Sequence, residues 1–449
     1  MALIDRTPWR LALDREDTAV LKAVAMAGIV AHNFLHQVSP VPLENEFNFY
    51  GLRAFWRMLS IAVAYPAEIP HVVLSFFGHY GVVLFVFLSG YGLTRRYIAS
   101  ASGIREAVAL TLRQIVKIIC LIAVGSVLVI AWRFITQGSA FSLGQELTSL
   151  ASFLTFTNNL RPDGLWCFVS VWWFFALIIQ LYVLYPVLVT GVEKYPGITF
   201  TIALASLAAA QWLGPEAYGI SFFATPLTHS LIFLLGIWLA MDRPLPMEIF
   251  SWVWAVMLLS QIFSAFFALS FTAVLLCLLN LYDRWGRGLK GYRTVLWFGQ
   301  LSAFVFLVHG WMREPVTTWL NGIQAAQFVA DKTFLSGLTM EVFLLWFAGV
   351  LMMAAVAKRL YRPVFDRAEK RFLKMGDKLS MGLDPTSHFR LAAATKYVLK
   401  VMSTDGHCYV REDELLKTLA KITEAKKEAW HACWATMCDE SELLTAPDD

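Results

Sequence analysis

Ten runs of apolar residues, each about the length that a bilayer requires, constrain this chain more than any other feature. A helix needs about 20 apolar residues to cross roughly 30 Å of hydrocarbon. The runs are residues 18–38, 74–97, 111–135, 165–189, 197–213, 221–241, 249–264, 265–282, 294–317 and 334–361. Apolar residues make up 58% of the 449 residues and charged residues only 16%, which excludes a soluble globular domain. We therefore predict an all-α fold, a polytopic membrane bundle of about ten transmembrane helices.

The basic residues indicate how this bundle is oriented. They concentrate after even-numbered runs: Arg95 and Arg96 after the second, residues 284–293 after the eighth and residues 358–371 after the tenth. Lys and Arg are enriched in cytoplasmic connections, so both termini are predicted to be cytoplasmic, in an integral protein of a bacterial inner membrane. The eighth run is separate from the seventh only if the chain turns near Ser264. The net charge of +4 follows from the same bias, and no nucleic-acid partner is expected.

Two segments outside the runs have distinct compositions. Residues 39–70 are rich in proline and aromatic residues, and we expect them at the outer membrane interface, either capping a site or forming a passive amphipathic loop. After residue 362 charged residues return with helical periodicity. The sequence therefore predicts a membrane domain of residues 1–362 and a small cytosolic helical extension of residues 363–449.

The extension contains two incomplete metal-binding patterns. The spacing in residues 403–414 weakly resembles a calcium loop. Histidines and cysteines that would suit zinc occur without a tight Cys-x-x-Cys pair, at His407, Cys408, His431, Cys433 and Cys438. A plain helix-turn-helix extension is favoured, and no metal site is predicted.

The first run carries the side chains that most favour a functional site. Lys22, His32 and His36 lie in an otherwise apolar stretch, with His32 near its middle and about 15 Å from Lys22 along a helix. An ionisable residue at such depth is costly to keep and by default indicates function. A neutral imidazole there can take a proton from a hydroxyl, so His32 is the candidate catalytic residue. The alternative is a histidine satisfied only by hydrogen bonds to neighbouring helices.

Basic residues at the inner ends of the second and third runs form a second candidate site. Ser89 belongs to a small-residue stretch that would let a helix or an extended ligand approach closely. Arg95 and Arg96 end that run, while Arg113 and Lys117 lie near the start of the next. Together these cations could meet a phosphorylated ligand, although topology bias alone would supply some of them.

Two later runs contain the remaining candidate site residues. An aromatic-dense run contains Trp166, Trp172, Trp173 and Tyr182, which would either line a substrate path or form an interfacial belt. His309 is a second intramembrane histidine. A pair of buried histidines favours function more strongly than one does.

Taken together, these segments resemble the acyltransferase 3 family of integral membrane acyltransferases over about residues 14–362. The shared features are a basic residue and a histidine on the first span, a Phe-rich span ending Ser-Gly and basic residues opening the third span. A Trp to Tyr-x-x-Pro span and a late Leu-x-His span follow. Their order and spacing carry the resemblance. The family typically moves acetyl from acetyl coenzyme A onto hydroxyls of surface glycans or other carbohydrate-containing acceptors, using the first-span histidine.

The resemblance implies an acyl-CoA-dependent O-acyltransferase with no permanently bound cofactor. Its partners would be acyl-CoA, a carbohydrate or glycolipid acceptor and the lipid bilayer. His32 would be catalytic, and His36, His309, Lys22 and Ser89 would be further catalytic or supporting residues. Acyl-donor binding would fall to Arg113, Lys117, Arg95 and Arg96.

Two departures from the family pattern concern individual residues. Lys22 and His32 are offset by about 80° around the helix, so Lys22 is not expected to support His32 directly. The usual Arg-x-x-Arg of the third span is replaced by Arg113 and Lys117.

Two other functions are consistent with parts of the sequence. A multi-span transporter could use the intramembrane histidines as a proton relay, but the two halves of the chain show no convincing repeat. A membrane sensor with the C-terminal extension as its output rests on that extension alone.

Overall fold

The structure is a computed structural model. It describes residues 8–40, 47, 49–99, 103–162, 164–214, 220–260, 262–378, 391–392, 394–396, 398–399, 411–420, 425 and 427–439. The chain divides into two compact units, Met1–Ala368 and Glu369–Asp449. Within the described residues the fold is helical, and its single β feature is an antiparallel bridge between Trp9 and Leu245. The predicted all-α membrane bundle is confirmed.

The helices of the bundle follow in chain order. They are α1 (Arg15–Leu35), α2 (Leu52–Ala64), α3 (Ile69–Phe77), α4 (Gly81–Ile98), α5 (Ile104–Gln137), α6 (Leu143–Phe153), α7 (Trp173–Lys194), α8 (Pro196–Leu213), α9 (Pro226–Ala240), α10 (Ile249–Ser260), α11 (Phe267–Trp285), α12 (Arg293–Asp331) and α13 (Ser336–Lys378). Nine segments of the described chain are long and apolar enough to cross a membrane. They correspond to nine of the ten predicted runs.

The remaining predicted run, 249–264, forms the short helix α10. Its 12 residues rise about 18 Å, less than the roughly 30 Å of a hydrocarbon core. α10 packs against α11 after a break that includes Ser264, where the turn was predicted. Trp252 and Leu258 remain exposed on its surface, as expected for a helix beside lipid.

The second span begins earlier than its sequence run. The run starts at residue 74, but the continuous segment is Pro66–Ile98 and combines α3 and α4 through a tighter turn at Gly78–Tyr80. Polar residues such as Glu68 and His71 interrupt the apolar pattern and so conceal this first part of the span. This tighter turn packs against α1.

Ionic contacts fix the first turn of α1. Asp14 and Asp17 form a reciprocal capping box. Asp17 is buried and accepts hydrogen bonds from Tyr282 at 2.6 Å and from Arg287 at 3.2 Å. Lys290 donates to Asp14 at 2.6 Å and thereby lowers the pKa of the Asp14 carboxyl to about 2. The start of α1 is therefore tied to the residues that end and follow α11.

Helix α2 has three distinct faces. Ala54 and Met58 are buried against α3. A second apolar stripe is exposed and comprises Leu52, Phe55, Trp56, Leu59 and Val63. A polar stripe between them contains Arg53, Arg57 and Ser60. This division is typical of an interfacial helix, in which one face packs on the protein, a second contacts lipid and a third faces water.

We predict that adjacent positions of α2 differ in access to water. A membrane-impermeant maleimide should react rapidly with Ser60→Cys and slowly with Leu59→Cys, because the apolar stripe lies in lipid. Labelling of intact vesicles followed by mass spectrometry measures both rates, with the unsubstituted protein as background. Equal rates at the two positions would contradict an interfacial placement.

The described part of the second unit has its own apolar core. Helices α14 (Glu412–Leu419) and α15 (Lys427–Asp439) contribute Leu415, Leu419 and Trp430 to it. Trp434 also packs there and donates to the Thr395 hydroxyl at 2.9 Å. The predicted calcium-like segment lies almost wholly outside the described residues, and so do the side chains of the possible zinc ligands His407, Cys408 and Cys438.

Candidate functional site

His32 lies in the last turn of α1 and is 4% exposed. Its position differs from the mid-helix placement expected from the apolar run, because α1 ends at Leu35. The ring is nonetheless enclosed, since α3 and the Gly78–Tyr80 turn pack alongside α1 at this level. The His32 Nδ1–H donates to the backbone carbonyl of Ser75 at 2.5 Å. A carbonyl can only accept, so the lone pair of the neutral imidazole is on Nε2, the atom that a base would use.

Two more histidines surround His32. The ring of His36 stacks on that of His32 with centroids 4.8 Å apart, and His36 Nδ1 lies 3.2 Å from the Ser75 hydroxyl. The ring of His79 lies 5.2 Å from that of His32. The structure thus brings together His32 and the predicted supporting residue His36, and it adds Ser75 and His79.

His309 is also buried, but its two ring nitrogens are both engaged. Nδ1–H donates to the carbonyls of Val305 and Phe306 at 3.2 and 3.0 Å, and Nε2 accepts from the Asn33 amide at 3.1 Å. This arrangement holds α12 against the residue next to His32. Both ring nitrogens of His309 thus have partners within the protein, and its catalytic or supporting role stays a prediction.

Arg313 strengthens the same connection one turn further along α12. Its guanidinium donates to the Asn33 carbonyl at 2.8 Å and to the Ser170 hydroxyl at 3.2 Å. Through Asn33 and Ser170, Arg313 links α1 to the segment before α7. Three separate parts of the chain therefore determine where the end of α1 lies.

Gly78 permits the close approach of α1 and the second span at this point. A Cβ on Gly78 would lie 2.7 Å from the Cβ of His32 and would collide with the Gly28 carbonyl. Neither neighbour is the flexible end of a side chain. We predict that Gly78→Ala lowers the unfolding free energy by about 1–3 kcal/mol through overpacking and also displaces His32.

Thermal unfolding in detergent and the rate of the catalysed reaction would measure these effects. Gly92→Ala is the matched control, because a Cβ on Gly92 meets no atom within 4 Å. If the two variants had the same stability and rate, the close approach at Gly78 would contribute neither to stability nor to the position of His32.

Lys22, Ser89, Arg96, Arg113 and Tyr182 form a second polar cluster, which we name the cationic cleft. Arg96 on α4 is within electrostatic range of Lys22 on α1 and Tyr182 on α7. Arg113 on α5 is also within range of Arg96. Arg96 is exposed, and the residues of the cationic cleft come from four helices, α1, α4, α5 and α7. The Tyr182 hydroxyl lies beside Ser89, whose own hydroxyl donates to the Phe85 carbonyl at 2.8 Å.

The other two basic residues of the predicted donor site point elsewhere. Arg95 donates to the Ala240 carbonyl and pairs with Asp242, both at 3.1 Å. The Lys117 ammonium lies 5.7 Å from the ring centre of Phe365 on α13. The structure therefore brings Arg96 and Arg113 together and separates Arg95 from them.

The four predicted aromatic residues fall into different environments. Trp172 is fully buried and its indole donates to the Leu307 carbonyl at 3.1 Å. Trp173 and Tyr182 are buried, whereas Trp166 is 55% exposed. Trp166 also lines a cavity of about 560 Å³ with Ser152, Arg161 and Cys167. Contact with substrate stays a prediction for all four, and Trp172 has a clear packing role.

The His32 site and the cationic cleft occupy different levels of one bundle. Lys22 and His32 are ten residues apart on a continuous helix, or about 15 Å along its axis. Lys22 lies within electrostatic range of Arg96 in the cationic cleft. An elongated ligand with phosphates at one end and a reactive group at the other would fit this separation.

Several residues of the site were missed from the sequence. Glu68, His71, Ser75 and His79 are spaced by three, four and four residues, which places them on one helical face. That spacing was the available signal, but Glu68 and His71 precede the apolar run. No group of His, Cys, Asp or Glu among the described residues has the arrangement of a metal site.

Comparison with known proteins identifies the family of the chain. A family model described as acyltransferase domain, the acyltransferase 3 model, matches residues 15–362. The matched range includes both the His32 site and the cationic cleft. No curated protein and no solved structure matches the chain.

Proposed function

The chain belongs to the acyltransferase 3 family and is an integral membrane acyltransferase, and we propose that it moves acetyl from acetyl-CoA onto a hydroxyl of a surface glycan or related carbohydrate acceptor. The observation that carries this proposal is the orientation of His32. Its Nδ1–H donates to the Ser75 carbonyl, so Nε2 carries the lone pair that a general base or nucleophile would use.

The donor would bind from the cytoplasm with its phosphates in the cationic cleft. Arg96 and Arg113 supply positive charge there, and guanidinium groups form strong charge-assisted hydrogen bonds to phosphate. The acyl thioester would extend toward His32. We accordingly propose an inner-membrane protein with cytoplasmic termini.

In the proposed reaction His32 Nε2 takes the proton of the acceptor hydroxyl as the oxygen attacks the thioester carbonyl. The carbon–sulfur bond then breaks, and the imidazolium returns the proton to the departing thiolate. Alternatively, Nε2 itself attacks the thioester and expels the CoA thiolate, and the acceptor hydroxyl then attacks the acyl-imidazole. The carbon–nitrogen bond breaks, the acyl group becomes the ester, and the hydroxyl proton passes to the thiolate. Both routes consume one acyl-CoA and yield one ester and one free thiol.

Purified protein in proteoliposomes would test this function. Acetyl-CoA labelled in the acetyl group is supplied with the polysaccharide and glycolipid fraction of cells that lack the protein. We expect hydroxylamine-labile label in that fraction, matched one to one by released CoA thiol. Movement of a solute across the bilayer without thiol release would instead identify a transporter.

A further inference from the structure

A buried acid–histidine pair lies outside the reaction described above. Glu68 and His71 are 0% and 1% exposed, and His71 Nδ1 lies 2.8 Å from a Glu68 carboxylate oxygen. The other oxygen of Glu68 accepts a hydrogen bond from the Ser336 hydroxyl at the start of α13. His71 Nε2 contacts the Leu35 carbonyl at 2.9 Å. Burying an acid–base pair costs desolvation free energy, so the contacts of such a pair are informative.

The hydrogen-bond partners of Glu68 and His71 determine which of their atoms carry protons. The Leu35 carbonyl can only accept, so His71 Nε2 carries a proton. One further proton lies between His71 Nδ1 and Glu68, whichever of the two holds it. The pair is therefore neutral as a unit, which makes its burial tolerable, and each partner satisfies the other.

The pair is connected to His32 through two short paths. His71 bonds to the carbonyl of Leu35, three residues after His32 on α1. On α3 itself, His71 lies one turn before Ser75, whose carbonyl orients His32. Helix α3 is thus attached to the end of α1 at both His71 and Ser75, and Glu68 anchors His71 to α13.

We propose that Glu68 and His71 are positioning residues for His32. By holding α3 against the last turn of α1, they keep the Ser75 carbonyl at the His32 Nδ1–H. This role rests on the proposed function of His32, but the attachment of α3 can be measured without any reaction. Misplacing a catalytic group by about 1 Å can cost about 10²-fold in rate.

Kinetics of Glu68→Ala and Glu68→Gln would test the proposal. We expect Glu68→Ala to lower kcat about 10²-fold and to leave KM for acetyl-CoA unchanged, because the cationic cleft lies at the other level of the bundle. Glu68→Gln should restore most of kcat. Its amide can donate to His71 Nδ1 while its carbonyl accepts from Ser336.

Gln324→Ala is the matched control. Gln324 is buried and donates to Thr339 at 2.7 Å, so the variant also removes a buried hydrogen bond near the start of α13. We expect its kcat to stay within about twofold of the unsubstituted protein, since this bond joins α12 to α13. Equal losses in Glu68→Ala and Gln324→Ala would overturn the proposal, as would an unchanged kcat in Glu68→Ala.

Hydrogen exchange of residues 69–77 separates this proposal from the enzymatic one. Exchange in α3 should be faster in Glu68→Ala and normal in Glu68→Gln, measured by mass spectrometry on protein in lipid nanodiscs. Faster exchange without detectable acetyl transfer by the unsubstituted protein would count against the proposed function alone. Unchanged exchange in Glu68→Ala would show that the pair does not hold α3.

Discussion

Replacing His32 by alanine is expected to lower kcat about 10²–10⁴-fold, the usual contribution of a positioned general base. A sugar hydroxyl is a weak nucleophile at neutral pH, so it needs a base at the moment of attack. The variant also removes the atom that would carry the acyl group in the two-step route. Transfer of labelled acetyl from acetyl-CoA, per molecule of protein inserted in the membrane, measures the effect.

His229→Gln is the control for loss of a buried imidazole. His229 is 3% exposed and its Nε2 contacts the Phe223 carbonyl at 3.0 Å, so it also makes an imidazole–carbonyl contact. It lies on α9, whereas His32 lies on α1. Substantial activity is expected in that variant. If His32→Ala retained normal transfer while accumulating normally, His32 would not be the catalytic group.

The spans could be predicted because hydrophobic length is a local property of the sequence. Nine of the ten runs coincide with long helices, and the break near Ser264 was placed correctly. The predicted second span was too short, because the polar residues of α3 face the protein interior instead of lipid and interrupt the apolar pattern. A hydrophobicity pattern reports average polarity and cannot tell which polar residues have partners on other helices.

Residue roles were harder to predict than spans. His32 and His309 look alike in the sequence, since each is a histidine within an apolar run. They differ in the hydrogen-bond partners of their ring nitrogens, and the side-chain amide that donates to His309 Nε2 belongs to Asn33, hundreds of residues away in sequence. Arg95 and Arg96 are likewise adjacent, yet about 100° apart around α4. Only the packing of α4 against its neighbours decides which of them enters the cleft.

Arg96→Gln is expected to raise KM for acetyl-CoA about 10- to 100-fold. A hydrogen bond to a charged group contributes about 1.5–3 kcal/mol, and each 1.4 kcal/mol corresponds to a tenfold change in affinity. The effect should fall mainly on KM, because His32 lies about 15 Å further along the bundle and its contacts are unchanged. Initial rates at varied acetyl-CoA concentration measure KM and kcat separately.

Arg95→Gln controls for the loss of one positive charge at the same end of α4. The Arg95 side chain is exposed and paired with Asp242, and exposed ion pairs contribute only about 0–1 kcal/mol. We expect its KM to change by less than about threefold. Equal increases in KM for the two variants would mean that donor binding depends on the general positive field of this end of the protein. In that case the cationic cleft would not be the donor site, because Arg96 would contribute no more than a neighbour that points away from it.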